Sequence, residues 1–255
     1  MSLKNVLYIL CATPLLAISY FSNASEQDAP KLTMLMQNSQ PKYFLPNDPR
    51  KGLCVEIYQA LAERLKAQQV DSKITSKFLP IKRILKSVEI NSNHIFCGAG
   101  RNAEREKRFI YSETAVYHVS NVVASHKNKT FQINSFDDIK DQQLVVGALY
   151  GTSSAAFVKK QTGVRINDSF LDLKTGLKAV RNERIALFYY HDLGLNFLIK
   201  DWQLPLKVVS HKFRTVPQWI IYSKRIDPNL HKASEQALKG MEKEGVIEEI
   251  WTRYF

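Results

Sequence analysis

The chain has 255 residues and a formal net charge of +12, with 45% hydrophobic and 24% charged residues. That length gives volume for a real core, either as one two-lobed protein or as two small domains. Scattered lysines without a basic cluster argue against nucleic acid as the partner. Lys4 precedes an apolar run from Val6 to Phe21, broken by Pro14, and Ser22-Asn23-Ala24 then offers small residues for cleavage. This is the pattern of a secretory signal peptide over 1–24, cleaved near Ala24 after export through the Sec pathway. A single membrane anchor is the alternative. The short, proline-interrupted run and the polar Ser25-Glu26-Gln27-Asp28 after it fit an anchor less well. Cys11 lacks the small preceding residues of a lipoprotein site. Beyond the leader two cysteines remain, Cys54 and Cys97, which in an oxidising compartment read as a disulfide, with two buried thiols as the alternative.

Residues 31–37 alternate as a first strand and run into a polar, proline-containing loop over 38–49 that carries Tyr43 and Phe44. Ile57, Tyr58, Leu61 and Leu65 recur at helical spacing within 55–68. A strand is expected over 73–79, and Pro80 opens a helix with Ile81, Ile84, Leu85 and Val88 on one face. The strand 94–97 stops at Gly98-Ala99-Gly100. The order strand, helix, strand, helix, strand argues an α/β unit with a mostly parallel sheet, whose ligands sit beyond the carboxyl ends of the strands.

Residues 116–125 read as a long strand leaving this unit, and 127–130 as a polar link. A second α/β unit follows. It comprises a strand over 143–149, a helix from Gly151-Thr152-Ser153-Ser154 through 161, a helix over 171–181 and a strand over 184–190. A helix over 192–200 and a strand over 206–209 complete it. Residues 218–222 read as a strand returning from it. Asp227-Pro228 then starts a helix, and Gly245 interrupts before 246–254. Two connecting strands between two α/β lobes describe a hinge with a cleft. The expected divisions are 25–124 for the first lobe, 125–212 for the second and 213–255 for the return to the first.

The turn Gly98 to Arg108 is rich in arginine. Arg101, Arg105 and Arg108 would suit a solvated basic face. Arg105 also sits one turn beyond the glycines, where backbone is open and a guanidinium can fork onto a carboxylate. Gly151-Thr152-Ser153-Ser154 offers free N–H groups and hydroxyls for an anion, and would serve equally as an ordinary helix cap. Phe188 and Tyr189 are expected in the core on alternate faces, with Tyr190 and His191 toward the ligand-facing strand end. The histidines show no metal spacing, and there is no HExxH, CxxC or GxSxG pattern, so neither metal nor cofactor is expected and no catalytic constellation is evident.

Taken in order, these residues resemble the bacterial family 3 extracellular solute-binding proteins, the polar amino-acid receptors of ABC transporters. The landmarks are the early strand with its Tyr/Phe loop over 31–45, and Gly52 with the helix after it. Asn102-Ala103-Glu104-Arg105 leads to Tyr111-Ser112-Glu113, where the family has Thr-Pro-Glu-Arg leading to Phe-Ser-Asp. Val146-Gly147 to Gly151-Thr152, Glu183-Arg184-Ile185 and the ending from Gly245 through Trp251 to Phe255 follow. The resemblance implies a type II periplasmic binding-protein fold: two lobes, each a mostly parallel sheet flanked by helices, joined by two hinge strands. It implies a monomeric periplasmic receptor that closes by hinge bending and docks on an inner-membrane permease.

Within that resemblance Arg105 grips a ligand carboxylate, helped by Gly151, Thr152 and Ser153, with Tyr43 packing on the ligand and Asn102, Gly100, Arg101, Tyr190 and His191 around it. Several positions depart from the family pattern. Asn102 replaces a threonine, Gly100 a serine or threonine, and Ile81 a tryptophan. His191 stands where a carboxylate usually holds the ligand's α-ammonium, with Asp192 one residue away. A kept carboxylate grip with a lost ammonium grip points to a ligand other than an ordinary α-amino acid. The competing readings are an enzyme on the same scaffold, of the cyclohexadienyl dehydratase kind, with His191 or Glu113 as general acid or base, and a receptor feeding a signalling partner.

Overall fold

The computed structural model describes residues 31–254, so the expected leader and its cleavage site lie outside the described residues. Strand β1 (Leu32–Gln37) is buried along its whole length. After the following loop, α1 (Leu53–Ala67) buries Leu53, Cys54, Ile57, Tyr58, Leu61 and Leu65 on one stripe. Strand β2 (Ser72–Leu79) is a half-exposed edge. Extended Pro80 caps α2 (Ile81–Ile90), whose Ile81, Ile84, Leu85 and Val88 face the sheet as their spacing requires. Strand β3 (His94–Ala99) and the one-turn helix α3 (Ala103–Glu106) close this unit.

Strand β4 (Phe109–His126) is 18 residues long and starts well before the expected 116. The polar Ser112-Glu113-Thr114 hides that start in the sequence. Past it come α4 (Phe136–Asp141), β5 (Val145–Leu149), α5 (Ser153–Val158) and β6 (Arg165–Phe170). Next are α6 (Leu173–Arg181), β7 (Leu187–His191), α7 (Asp192–Asp201) and β8 (Leu206–Val208). Strand β9 (Arg214–Ser223) returns to α8 (Pro228–Lys243) and α9 (Val246–Thr252). Sequence reading missed α4, a single turn capped by the Ser135 hydroxyl on Asp138 N–H. It also missed β6, an edge strand whose R-I-N-D-S-F sequence has almost no buried face to betray it.

The sheet order is β2-β1-β3-β9-β4-β7-β5-β6, with β8 beside β4. β1 runs parallel to β2 and β3, and β5 runs parallel to β6 and β7. The antiparallel ladder of β4 with β9, from Phe109↔Ser223 to Asn121↔Arg214, joins the two parallel halves. One core lies under the first half and includes Met34, Tyr58, Phe96, Tyr222 and Leu238. Two cores sandwich the second half, one around Phe188, Leu177 and Leu195, the other around Tyr189, Val146 and Val158. Phe188 and Tyr189 thus occupy opposite faces, as alternation along a strand requires. Along β4, packing passes from the first core at Val119 to the second half's at Val122. No helix among the described residues is long and apolar enough to cross a membrane.

The expected disulfide is corrected. Cys54 and Cys97 are buried free thiols whose Sγ atoms face each other. Both are wholly enclosed between α1 and β3, and burial pushes the Cys97 thiol up, which favours its protonated form.

Candidate functional site

The carboxyl end of β3 builds the first wall. Gly98 takes φ +84°, and a side chain there would meet the Tyr117 hydroxyl at 2.2 Å. Asn102 is extended, and its side chain accepts from Arg105 N–H at 2.9 Å, nucleating α3. That turn swings Arg105 inward to 5% exposure. Its Nη1 donates to Gly100 O at 3.0 Å and its Nη2 reaches across to Gly151 O at 3.1 Å. Among the described residues it makes no salt bridge: the three remaining N–H donors of the guanidinium have no carboxylate. Burial pulls the Arg105 pKa down, opposed by Tyr111 and Glu104, and arginine starts so high that it stays charged.

The opposite wall starts at Gly151-Thr152. Thr152 proves to be a true cap. Its hydroxyl accepts from Ala155 N–H at 3.1 Å and donates to Leu149 O at 2.8 Å, which leaves it no capacity to donate to a ligand. Ser154 Oγ accepts from Asn121 Nδ2 at 3.0 Å, and Asn121 Oδ1 accepts from Arg214 Nε at 2.6 Å. Arg214 also donates to Ser153 O at 3.2 Å and lies 3.9 Å over the Phe157 ring, so this wall is braced from behind.

The end of β7 supplies the floor. Tyr190 is buried, and its hydroxyl shares a hydrogen bond with Ser39 Oγ at 3.3 Å, tying the two lobes together. His191 is the cap of α7: its Nδ1 accepts from Gly194 N–H at 2.9 Å. Burial, with Lys42 nearby, pushes the His191 pKa well below its ordinary value, so the ring is neutral. An Nδ1 that accepts fixes the proton on Nε2, and that buried N–H has no partner among the described residues. Asp192 does not take over the missing acid's place. Its Oδ1 accepts from Ser120 and Leu193 N–H at 3.0 and 2.8 Å, turned into the hinge strand.

A narrow cleft lies between these walls. Of the expected contacts, Gly100, Arg105, Thr152, Ser153, Tyr190 and His191 line it. Asn102 and Gly151 stand just outside, acting through Arg105. Arg101 is turned away, paired with Glu106 at 2.9 Å and lying over the Tyr111 and Trp219 rings. Tyr43 is not in the cleft at all. It is wholly buried in the first core, stacks on Phe96, and donates to Cys97 O at 2.6 Å.

Four polar lining residues escaped sequence reading: Gln37, Lys42, Asn121 and Gln218. Asn121 and Gln218 are polar interruptions of apolar strands, a signal that was present and passed over. Lys42 neighbours Tyr43 and takes the cleft side that Tyr43 was expected to hold. It is 4% exposed, and its ammonium donates to Gln37 Oε1 at 3.4 Å. Among the described residues no group of acids, histidines and cysteines has a metal-binding arrangement.

Residues 32–255 match the sequence model of the bacterial extracellular solute-binding proteins, family 3. The chain belongs to that family. No curated protein sequence matches this family 3 solute-binding protein. Among solved structures it is similar to an ancestral arginine-binding protein bound to arginine, at 20% identity and a TM-score of 0.75, covering 89% of this chain and 98% of that one. A P235GK mutant of the T. maritima arginine-binding protein gives 18% identity and 0.75, covering 89% and 95%. An ancestral amino acid-binding protein, a precursor of cyclohexadienyl dehydratase, gives 19% identity and 0.74, covering 89% and 95%. At such identities the likeness is one of fold: two α/β lobes around a cleft, as the family 3 resemblance implied.

Proposed function

We propose that the protein is a periplasmic receptor that captures a small carboxylate-bearing solute, an amino acid or a related organic acid, between its lobes. It would deliver that solute to an ABC-transporter permease in the inner membrane. One observation carries the reading: Arg105 is a buried guanidinium on the cleft wall, held by two carbonyls and, among the described residues, by no acid. A charge taken from water without a counter-ion is costly, and a ligand carboxylate in the cleft supplies the partner. The signal-peptide pattern supports export, and the arginine-binding and amino acid-binding proteins sharing the fold support a solute of this class. Capture rather than turnover is supported by the acid–base candidates. Glu113 is exposed away from the cleft lining, and His191 has no carboxylate to orient it as a base.

The test is a thermal-shift and calorimetric screen of amino acids and organic acids on protein stripped of ligand by unfolding and refolding. Binding to the native state raises the melting temperature. A screen in which no carboxylate gives a shift or heat of binding sinks the proposal.

Lobe closure makes its own prediction. A Cβ on Gly100 would lie 2.3 Å from Ser153 Oγ and 3.0 Å from Ser153 Cβ, atoms of the opposite lobe. Gly100→Ala therefore props the jaws apart. Overpacking of this kind costs about 1–3 kcal/mol, so ligand affinity should fall roughly 5- to 150-fold. The melting temperature without ligand should hold, since an open molecule has no such contact. Unchanged affinity by calorimetry contradicts this mode of closure.

A further inference from the structure

Two buried cations, Arg105 and Lys42, share one cleft, and among the described residues no carboxylate side chain lines it. They come from different elements, α3 and the loop after β1. Lys42 is placed rigidly. Its N–H donates to Ser39 O at 3.0 Å and its carbonyl accepts from Cys54 N–H at 2.9 Å. Gly52, at φ +95°, packs so close that a Cβ there would meet Lys42 O at 2.8 Å. Its ammonium has three donors and gives one to Gln37 at 3.4 Å, a long bond. The His191 Nε2–H also faces the cleft residues without a partner among the described residues. Gln37 Oε1 already faces Lys42, and Asp192 Oδ1 accepts from the Ser120 and Leu193 N–H groups, so the acceptors left on the lining are neutral oxygens such as those of Gln218 and Ser153.

We propose that the ligand is a small dicarboxylate without an ammonium group, one carboxylate on Arg105, the other on Lys42, and an acceptor oxygen of the ligand on His191 Nε2. This rests on the carboxylate-capture reading and narrows it. An ammonium in this cleft would meet two like charges and no acid, and like charges brought together in a dry site are strongly unfavourable. A monocarboxylate brings one negative charge to two cations. A dicarboxylate neutralises both, and a carbonyl or hydroxyl beside one carboxylate answers the imidazole.

The experiment is calorimetry on stripped, refolded protein with matched probes: succinate against aspartate, glutarate and 2-oxoglutarate against glutamate, then butyrate, arginine and inorganic phosphate. The expected result is a dicarboxylate bound roughly tenfold or more tightly than its amino-acid counterpart and than butyrate. In Lys42→Met, with the same circular dichroism as wild type, the best dicarboxylate should weaken by roughly 30-fold or more, and butyrate by much less. Tighter binding of aspartate, glutamate or arginine overturns the inference and leaves carboxylate capture standing. So does butyrate bound as tightly as glutarate, or an equal loss for both in Lys42→Met. Phosphate bound in preference to every carboxylate, or no binding by any probe, overturns both.

Discussion

Arg105→Ala is expected to weaken carboxylate binding by about 2–5 kcal/mol, a loss of roughly 30- to 5,000-fold, because it leaves the ligand's charge buried and unpaired. The same change removes the bond from Nη2 to Gly151 O, so it also loosens contact between the jaws. Stability without ligand should hold, as for Gly100→Ala, since the empty molecule is open. Arg105→Lys separates the two contributions. It keeps the charge but not the planar fork, and should recover only part of the lost affinity. Calorimetry reads the affinity and thermal melting reads the fold. An alanine variant that binds like wild type would remove Arg105 from the site and, with it, the reason for placing a carboxylate there.

Tyr43→Ala should act in the opposite sense, on the fold rather than on recognition. The ring is wholly buried among Tyr58 and Phe96, and truncating a large core aromatic costs about 3–5 kcal/mol. Tyr43→Phe keeps the ring and removes the donor to Cys97 O, which costs about 1–3 kcal/mol through the orphaned carbonyl. Urea denaturation measures both. The phenylalanine variant, still folded, should keep an affinity close to wild type. A large affinity loss in Tyr43→Phe without loss of stability would return Tyr43 to the ligand wall.

These two residues show what could be read from the chain. Arg105 was legible because its inward turn is local: Gly98 and Gly100 open the backbone, and Asn102 caps the helix that carries it. The placement of His191 was legible from strand alternation, and its role as a donor was not, because that depends on the Gly194 N–H that fixes its proton. Lys42 and Tyr43 were exchanged. A lysine in a polar loop after Pro41 has every local mark of a solvated residue. It is buried because α1 folds back over the loop, a contact made through Gly52 and Cys54 that no short window contains. For the cysteines, proximity was legible in the sequence, and no disulfide is found between them. Among the elements, helices with a clear stripe such as α2 and α8 were found, while β6 and the first third of β4 were hidden by polar residues on strands.

The ladder of β4 with β9 is both the pivot of the two lobes and part of the cleft, because Val119, Asn121, Val216 and Gln218 all lie on it and line the site. A point on a pivot has the shortest lever arm, so these side chains shift least as the jaws swing. An arriving solute meets them close to their final positions, before Arg105 and Lys42 on one jaw can approach Ser153 and His191 on the other. Entry and retention are therefore expected to depend on different residues. In stopped-flow fluorescence, shortening Val216 should act mainly on the association rate, and changes on the jaws on how long the solute stays.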